Sequence, residues 1–316
     1  MAAVRVETAS SATTEQVRRA LSGRRADVWG FLFQLLLLFT LVFALAVLIV
    51  LLLDVARTAI PYLRERGGEV FESGLSSLPA NAGMRTGLIG TIYLGVFVLV
   101  LALPLGVCAA VYMEEYAKDT KLTRFINTNI RNLAGVPAIV YGILGLAIFV
   151  ELLSPITGPE VEGRSLLAGG LTIALMVLPI VIITTQEALR AVPKSIREAG
   201  FGVGATRWEV IRSHVLPYAA PGVLTGSVLA MARALGETAP LIMVGATTGF
   251  LATEGGILAS LQQRYTSLPT LVFAYVKKPQ EEFQQLAAAT ILVLIVFIFF
   301  VNLTAILLRN RYERKW

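Results

Sequence analysis

"EALRAVPKSIREAGFGVGATRWEVIRSHVLP", residues 187–217, is a basic stretch set between two apolar ones, "LLAGGLTIALMVLPIVIITT" (166–185) and "GVLTGSVLAM" (222–231). Two capping boxes stand in it. Ser195 precedes Glu198 by three residues, and Thr206 precedes Glu209 by three. In each, the hydroxyl accepts a helix-start N–H while the carboxylate reaches back to the cap N–H. Pro193 and the Gly202-Val203-Gly204 turn punctuate the stretch. The pattern predicts two short helices at one membrane face. The second places Trp208, Ile211 and Val215 along one side, and Arg207, Glu209 and Arg212 along the other. The plain alternative is an amphipathic helix resting on lipid headgroups.

Outward from this stretch the chain is too apolar for an ordinary soluble enzyme. Of its 316 residues 56% are hydrophobic and 15% charged, and its mean hydropathy is +0.72. Soluble domains carry about 25% charged residues. Six runs reach the ~20 residues that a membrane helix needs: Trp29–Leu53, Gly87–Tyr112, Leu133–Leu153, Leu166–Thr185, Gly222–Thr247 and Leu286–Leu308. The expected fold class is therefore all-α, a polytopic membrane protein with six transmembrane helices. The first and last runs are the purest. The inner four carry Gly, Pro and Thr, which suits burial against other helices. Gly135 and Pro137 interrupt the start of the third. The first run exceeds the ~7–15 apolar residues of a secretory signal, so residues 29–53 read as an uncleaved anchor behind a Ser/Thr/Ala-rich tail, residues 1–28.

Six spans put both ends on one side, and Lys and Arg decide which. The tail, the second and fourth connections and the C-terminus together hold 18 of the 27. The first, third and fifth connections hold eight: Arg57, Arg64, Arg66, Arg85, Arg164, Arg264, Lys277 and Lys278. Acidic residues divide evenly. By the positive-inside rule both termini are cytoplasmic, and residues 187–217 face the cytoplasm. The net charge of +6 thus belongs to membrane topology and gives no reason to expect nucleic acid as a partner. One Arg and one acid remain, Arg233 and Glu237, and both lie inside the fifth span.

The spacing within 187–217 resembles the EAA loop of ATP-binding-cassette importer permeases. The family pattern is EAA, three residues, Gly, nine residues, then I-x-LP. Here it reads Glu198-Ala199-Gly200, Gly204, and Leu216-Pro217, with Gly200 for the second Ala and His214 for the Ile. "ARALGETAPL" (232–241), "GTIYLGVFVLVLALPLGVCAAVYMEEYA" (90–117) and "NLAGVPAIVYGILGLAIFV" (132–150) are similar to segments of phosphate-specific permeases, the first to those of the PstA type. The likeness covers roughly residues 80–310. It implies a type I importer permease domain over 80–310, in a bacterial or archaeal plasma membrane. It also implies that Ser195, Glu198, Ala199, Gly200, Gly204, Leu216 and Pro217 belong to a coupling element that enters a groove on a cytoplasmic ATPase. The implied partners are a homologous PstC-like permease forming a heterodimer, two copies of a PstB-like ATPase and an external PstS-like phosphate-binding protein, besides the lipid bilayer. The chain has no G-x-x-x-x-G-K-[ST] loop. ATP and Mg are then cofactors of the partner ATPase, with none in this chain.

The charged segment "ARALGETAPL" carries the candidate pathway. An Arg deep in a span costs ~2.5–3.5 kcal/mol on insertion scales. Arg233 and Glu237, four apart on one helix face, can pair. That alone is a scaffold reading. The functional reading uses more of the segment. Pro240 lacks the N–H that would bond the Gly236 carbonyl, and its ring crowds that carbonyl. A kink at Gly236 and Pro240 leaves polar backbone where protein or water must line it. Ionisable residues in spans mark transport paths, and a guanidinium fork matches phosphate oxygens. Arg233, Glu237 and Thr238 are the substrate-pathway candidates. Glu237 would hold Arg233 in the empty site and yield it to an anion.

Elsewhere the chemistry is thin. His214, the only His, reads as a packing or interface residue, and Cys108 as a small buried apolar one. Glu114-Glu115, ending the second span near Lys118 and Lys121, reads as a solvated or interface patch. The segment "SLPTLVFAYV" (267–276) predicts a short external helix. The rival functions are a permease for another oxyanion, sulfate or molybdate, and an ion-driven secondary transporter. The latter predicts charged sites in two related halves, whereas spans one to three hold no partner for Arg233 and Glu237. A membrane anchor without transport leaves the charged segment unexplained.

Overall fold

The computed structural model describes residues 28–246 and 256–312. Residues 1–27, Thr247 with the eight residues after it, and the last four residues lie outside them. Among the described residues all regular structure is helical. In chain order the described helices of five residues or more are α1 (Val28–Arg66), α2 (Arg85–Tyr116), α3 (Lys121–Ala134), α4 (Ala138–Thr157), α5 (Leu166–Arg190), α6 (Lys194–Gly202), α7 (Arg207–Gly236), α8 (Ala239–Met243), α9 (Gly256–Leu261), α10 (Leu268–Val276) and α11 (Glu281–Tyr312). Six of them, α1, α2, α4, α5, α7 and α11, are long and apolar enough to span a membrane.

The chain divides into two units, residues 1–54 and 55–316. In the first, the described residues Val28–Asp54 are exposed along one uninterrupted helix. The second holds the core. Leu94, Val98 and Ala102 of α2, Tyr141 of α4, Ile173, Met176, Val177 and Val181 of α5, and Ala230, Met231, Ala234 and Leu235 of α7 form one buried cluster. In α5, 67% of the most apolar window is buried, against 39% in α2. The Gly- and Thr-rich spans are the inner ones, as their composition implies.

Several span boundaries differ from expectation. α1 passes Leu53 and runs through Pro61 to Arg66. The fourth helix starts at Ala138, because Gly135 and Pro137 end the preceding turn. Leu133 instead belongs to α3, an amphipathic helix capped by the Thr120 hydroxyl on the Thr123 N–H. The segment 267–276 is a helix as expected, capped at Ser267, and its inner side is buried at Leu268, Leu271 and Tyr275. Cys108 is exposed. Its neighbours Gly106 and Ala110 occupy the buried side of α2 instead, so the expectation of a buried thiol is corrected.

Among the described residues four wide, π-type turns occur in the spans: Tyr112–Tyr116 and Leu146–Val150, and two that each stand immediately before a Leu-Pro pair. Val98–Ala102 precedes Leu103-Pro104, and Ile211–Val215 precedes Leu216-Pro217. In both, the Leu N–H bonds the carbonyl five residues back, Leu103 to Val98 and Leu216 to Ile211. The following Pro has no N–H for the carbonyl four residues behind it and crowds that carbonyl. Widening the turn by one residue relieves both problems without ending the helix.

Candidate functional site

The first candidate is the far end of α7. The apolar face of this helix, Ala230, Met231, Ala234 and Leu235, is buried, which leaves Arg233 and Glu237 together on another side. Arg233 Nε stands 3.3 Å from Glu237 Oε1, with the two side chains 36% and 23% exposed. The pairing expected from the i, i+4 spacing is therefore made, and the ions remain partly open. The kink expected at Gly236 and Pro240 is a complete break. α7 stops at Gly236, Glu237 is extended at φ −78° and ψ 132°, and α8 begins at Ala239. Thr238 lies in the break, half-buried. The missing N–H of Pro240 explains why the hydrogen-bond ladder does not cross Gly236. The break also moves the pair from the middle of the expected span to its end. Arg233 lies 17 residues beyond Leu216, roughly 26 Å along the axis.

The break is packed from behind by α4. A Cβ on Gly142 would lie 2.6 Å from the Pro240 Cα and 3.0 Å from the Met243 Cβ. Only a glycine lets α4 and α8 approach this closely. Tyr141 beside it is buried and donates its hydroxyl to the Leu133 carbonyl at 2.9 Å. The break thus has a rigid apolar back and a charged, partly open front.

The second candidate is the polar loop between α5 and α7. α6 begins at Lys194 behind Pro193, with no side-chain cap, so Ser195 is not the capping residue that its spacing with Glu198 suggested. Pro193 already fixes the entry, and Ser195 falls inside the first turn, exposed. The second capping box is present: the Glu209 N–H bonds the Thr206 hydroxyl at 3.4 Å, and the Thr206 N–H bonds Glu209 Oε2 at 2.7 Å. The helix it starts is not a separate short one. It continues through the wide turn and Leu216-Pro217 into the fifth span. Within its first nine residues the buried ones are Val210, Ile211 and Val215, while Trp208 is 54% exposed. The wide turn shifts the buried face from Trp208 to Val210.

Glu198 and Ala199 are exposed at the end of α6, together with Phe201 and Val203. Gly200 faces inward, where a Cβ would lie 2.7 Å from Val210 Cγ2. The Ala of the family pattern would crowd this contact, which accounts for the glycine here. Gly204 turns the chain at φ +84° with open space around its Cα, a conformation that glycine adopts without steric cost.

Glu114 and Glu115, expected as a solvated or interface patch, form an interface with this loop. Glu114 holds Arg190 at the end of α5, with Nε–Oε2 at 2.9 Å and Nη2–Oε1 at 2.5 Å. Glu115 holds Arg197 of α6, Nη2–Oε1 at 2.6 Å, with the side chains 10% and 21% exposed. Arg197 also donates to the carbonyls of Val192 and Leu189, both at 2.9 Å. Arg207, at the start of α7, lies over the Tyr116 ring at 5.5 Å from its centroid. The available signal was a pair of acids ending one span, opposite a connection rich in arginine. His214 is exposed on the same part of α7.

Comparison with known proteins bears on the family and the fold. The family described as "Binding-protein-dependent transport system inner membrane component" matches residues 102–314. A probable ABC transporter permease protein, YqgI of Bacillus subtilis, is 36% identical over 173 residues, 55% of this chain and 56% of that protein. The phosphate transport system permease protein PstA of Yersinia pestis is 33% identical over 229 residues, 72% of each chain. Among solved structures, a bacterial ABC transporter that imports alginate superposes with a TM-score of 0.60 at 14% identity, covering 91% of this chain and 99% of that one. The MetNI methionine transporter, in an inward-facing conformation, superposes with a TM-score of 0.54 at 19% identity, over 73% and 95%. At such identities the structures speak for the fold alone.

Proposed function

The chain belongs to the family of binding-protein-dependent transport system inner membrane components, and from that premise we propose that it is the PstA-type permease subunit of an ATP-driven phosphate importer. It forms half of a translocation path, with a PstC-like permease as the other half. It performs no hydrolysis itself. Two PstB-like ATPases on the cytoplasmic side bind ATP and Mg, and a PstS-like protein delivers phosphate from outside. Both termini are cytoplasmic, which the Lys and Arg asymmetry supports. The exposed tip of α6 and the turn after it, Glu198–Gly204, enter the ATPase groove, with Leu216-Pro217 joining that movement to the span.

The observation that carries the reading is the ion pair at a helix break. A guanidinium offers phosphate a planar donor fork. Glu237 occupies that fork while the site is empty, and its repulsion keeps a bound anion from staying. Such a site exchanges one partner for another, so binding is transient, as a pathway requires.

Arg233→Gln should lower phosphate uptake by about tenfold or more, since one charge-assisted hydrogen bond contributes ~1.5–3 kcal/mol. Assembly with the other subunits should persist. Adding Glu237→Gln removes the stranded acid and separates a scaffold from a site, because deleting both charges of a structural pair can be neutral. The double variant should assemble fully and still fail to transport. Phosphate uptake near the parent rate by the double variant would overturn a direct role for Arg233.

A further inference from the structure

The last turn of α2 is gripped from three sides. Glu114, Glu115 and Tyr116 are consecutive in a wide, π-type last turn, so their side chains leave the helix in different directions. Each meets an arginine from a different element: Arg190 at the end of α5, Arg197 in α6 and Arg207 at the start of α7. The loop between α5 and α7 is therefore wrapped around the end of a span that lies 76 or more residues earlier in the chain. Of the three contacts, Glu115–Arg197 is the most enclosed. Arg197 is also bonded to the last carbonyls of α5, so α6, α5 and α2 meet at one guanidinium.

From that joint α2 leads to the charged break. Leu94 and Val98 of α2 share the buried cluster with Met231 and Leu235 of α7. At Gly95 a Cβ would stand 3.4 Å from Leu235 Cδ2 and 3.6 Å from Met231 Cε, which is ordinary contact. Leu235 immediately precedes Gly236, where α7 ends.

We propose that Glu114-Glu115-Tyr116 is a transmission joint, with Glu115 as its pin, that carries movement of α6 into α2 and through α2 to the break at Gly236. The proposal rests on the reading of residues 198–204 as the ATPase-coupling element. Partly desolvated ion pairs resist separation more than exposed ones, because the local dielectric is lower. A displacement of α6 therefore takes the end of α2 with it instead of stretching the Glu115–Arg197 contact. Glu115 is a positioning residue, since it stands on the loop side of α2 and acts on the pathway through the helix.

The test uses the complete complex in vesicles, with its ATPase and binding protein, and measures phosphate uptake and ATP hydrolysis in the same sample. Glu115→Gln should lower uptake per ATP by roughly threefold to thirtyfold, with thermal stability of the complex unchanged. Glu115→Asp, which keeps the charge, should restore much of the ratio. Gly204→Leu, at the loop tip, serves as the reference. If Gly204→Leu lowers the ratio and Glu115→Gln leaves it at the parent value, the joint is overturned and the loop reading stands. If Glu115→Gln lowers stability and leaves the ratio intact, the pair is a brace and the joint is again overturned. If neither variant changes the ratio, the coupling reading itself fails and the joint fails with it.

Discussion

At the scale of single residues, close approach and charge do different work at the two candidate sites. Gly142 is the contact point behind the break, and its role is one of space. A Cβ at 2.6 Å from the Pro240 backbone cannot be absorbed by a side-chain rotation, so Gly142→Val must push α4 and α8 apart. Overpacking of this kind costs ~1–3 kcal/mol. If that displacement is felt at the adjacent charged pair, uptake falls by up to about a hundredfold, at tenfold per 1.36 kcal/mol. Gly135→Ala is the matched control, because there the nearest atom to a new Cβ is Asn132 O at 3.5 Å. It should transport like the parent. Equal uptake by both variants would mean that the approach of α4 to α8 is unimportant for transport. The residue scale is also where sequence reading was weakest. The i, i+4 spacing of Arg233 and Glu237 was legible because both partners sit on one helix. Glu114–Arg190 and Glu115–Arg197 bridge 76 and 82 residues, and a linear sequence shows such groups only as charges near span ends.

At the scale of elements, the six spans were legible because each is an apolar run of membrane length, and their ends were less so because ends depend on hydrogen bonds. Gly135 and Pro137 signalled their boundary. The amphipathic α3 also had a signal, with Leu122, Ile126, Asn129 and Leu133 on one side and the Thr120 cap ahead of it. The wide turns had none in the hydrophobic pattern: a Leu-Pro pair follows two of them, yet Leu178-Pro179 lies within the unbroken α5. Pro217 offers a direct check. Alanine there would supply the N–H that the Ser213 carbonyl lacks, and alanine exceeds proline by about 3 kcal/mol in helix preference. That gain outweighs the ~0.4–1 kcal/mol of chain entropy that proline withholds from the unfolded state. Pro217→Ala should therefore let the ordinary helical register close across Ile211–Val215 and rotate the loop against the rest of α7. The complex should assemble, with stronger hydrogen-exchange protection at residues 211–217 and severalfold less uptake. Unchanged protection there would show that the wide turn has a cause other than the proline.

At the scale of the whole molecule, the orientation rests on where Lys and Arg lie. The two faces can be labelled separately once Cys108, which is exposed, has been replaced by Ser. A cysteine at Gly68, between α1 and α2, should react with an impermeant thiol reagent in intact cells. One at Lys118, between α2 and α3, should react only after the membrane is opened. The reverse pattern would invert the molecule and place residues 187–217 out of reach of any cytoplasmic ATPase. The same map explains why the fold was more legible than its site. Topology is written in composition, summed over many residues, whereas the site depends on a few contacts between segments far apart in the chain.

The grip on the end of α2 also has a place in time. Glu114 and Glu115 are synthesised 76 and 82 residues before the arginines that hold them, an interval of roughly 4–16 s at 5–20 residues per second. During that interval the nascent α2 ends in two carboxylates without their native partners. The arrival of Arg190 and Arg197 completes the grip after α2 has been made. Part of the setting of an early helix thus waits for later ones, so a chain halted before Arg190 carries the end of α2 without either of the arginines that hold it.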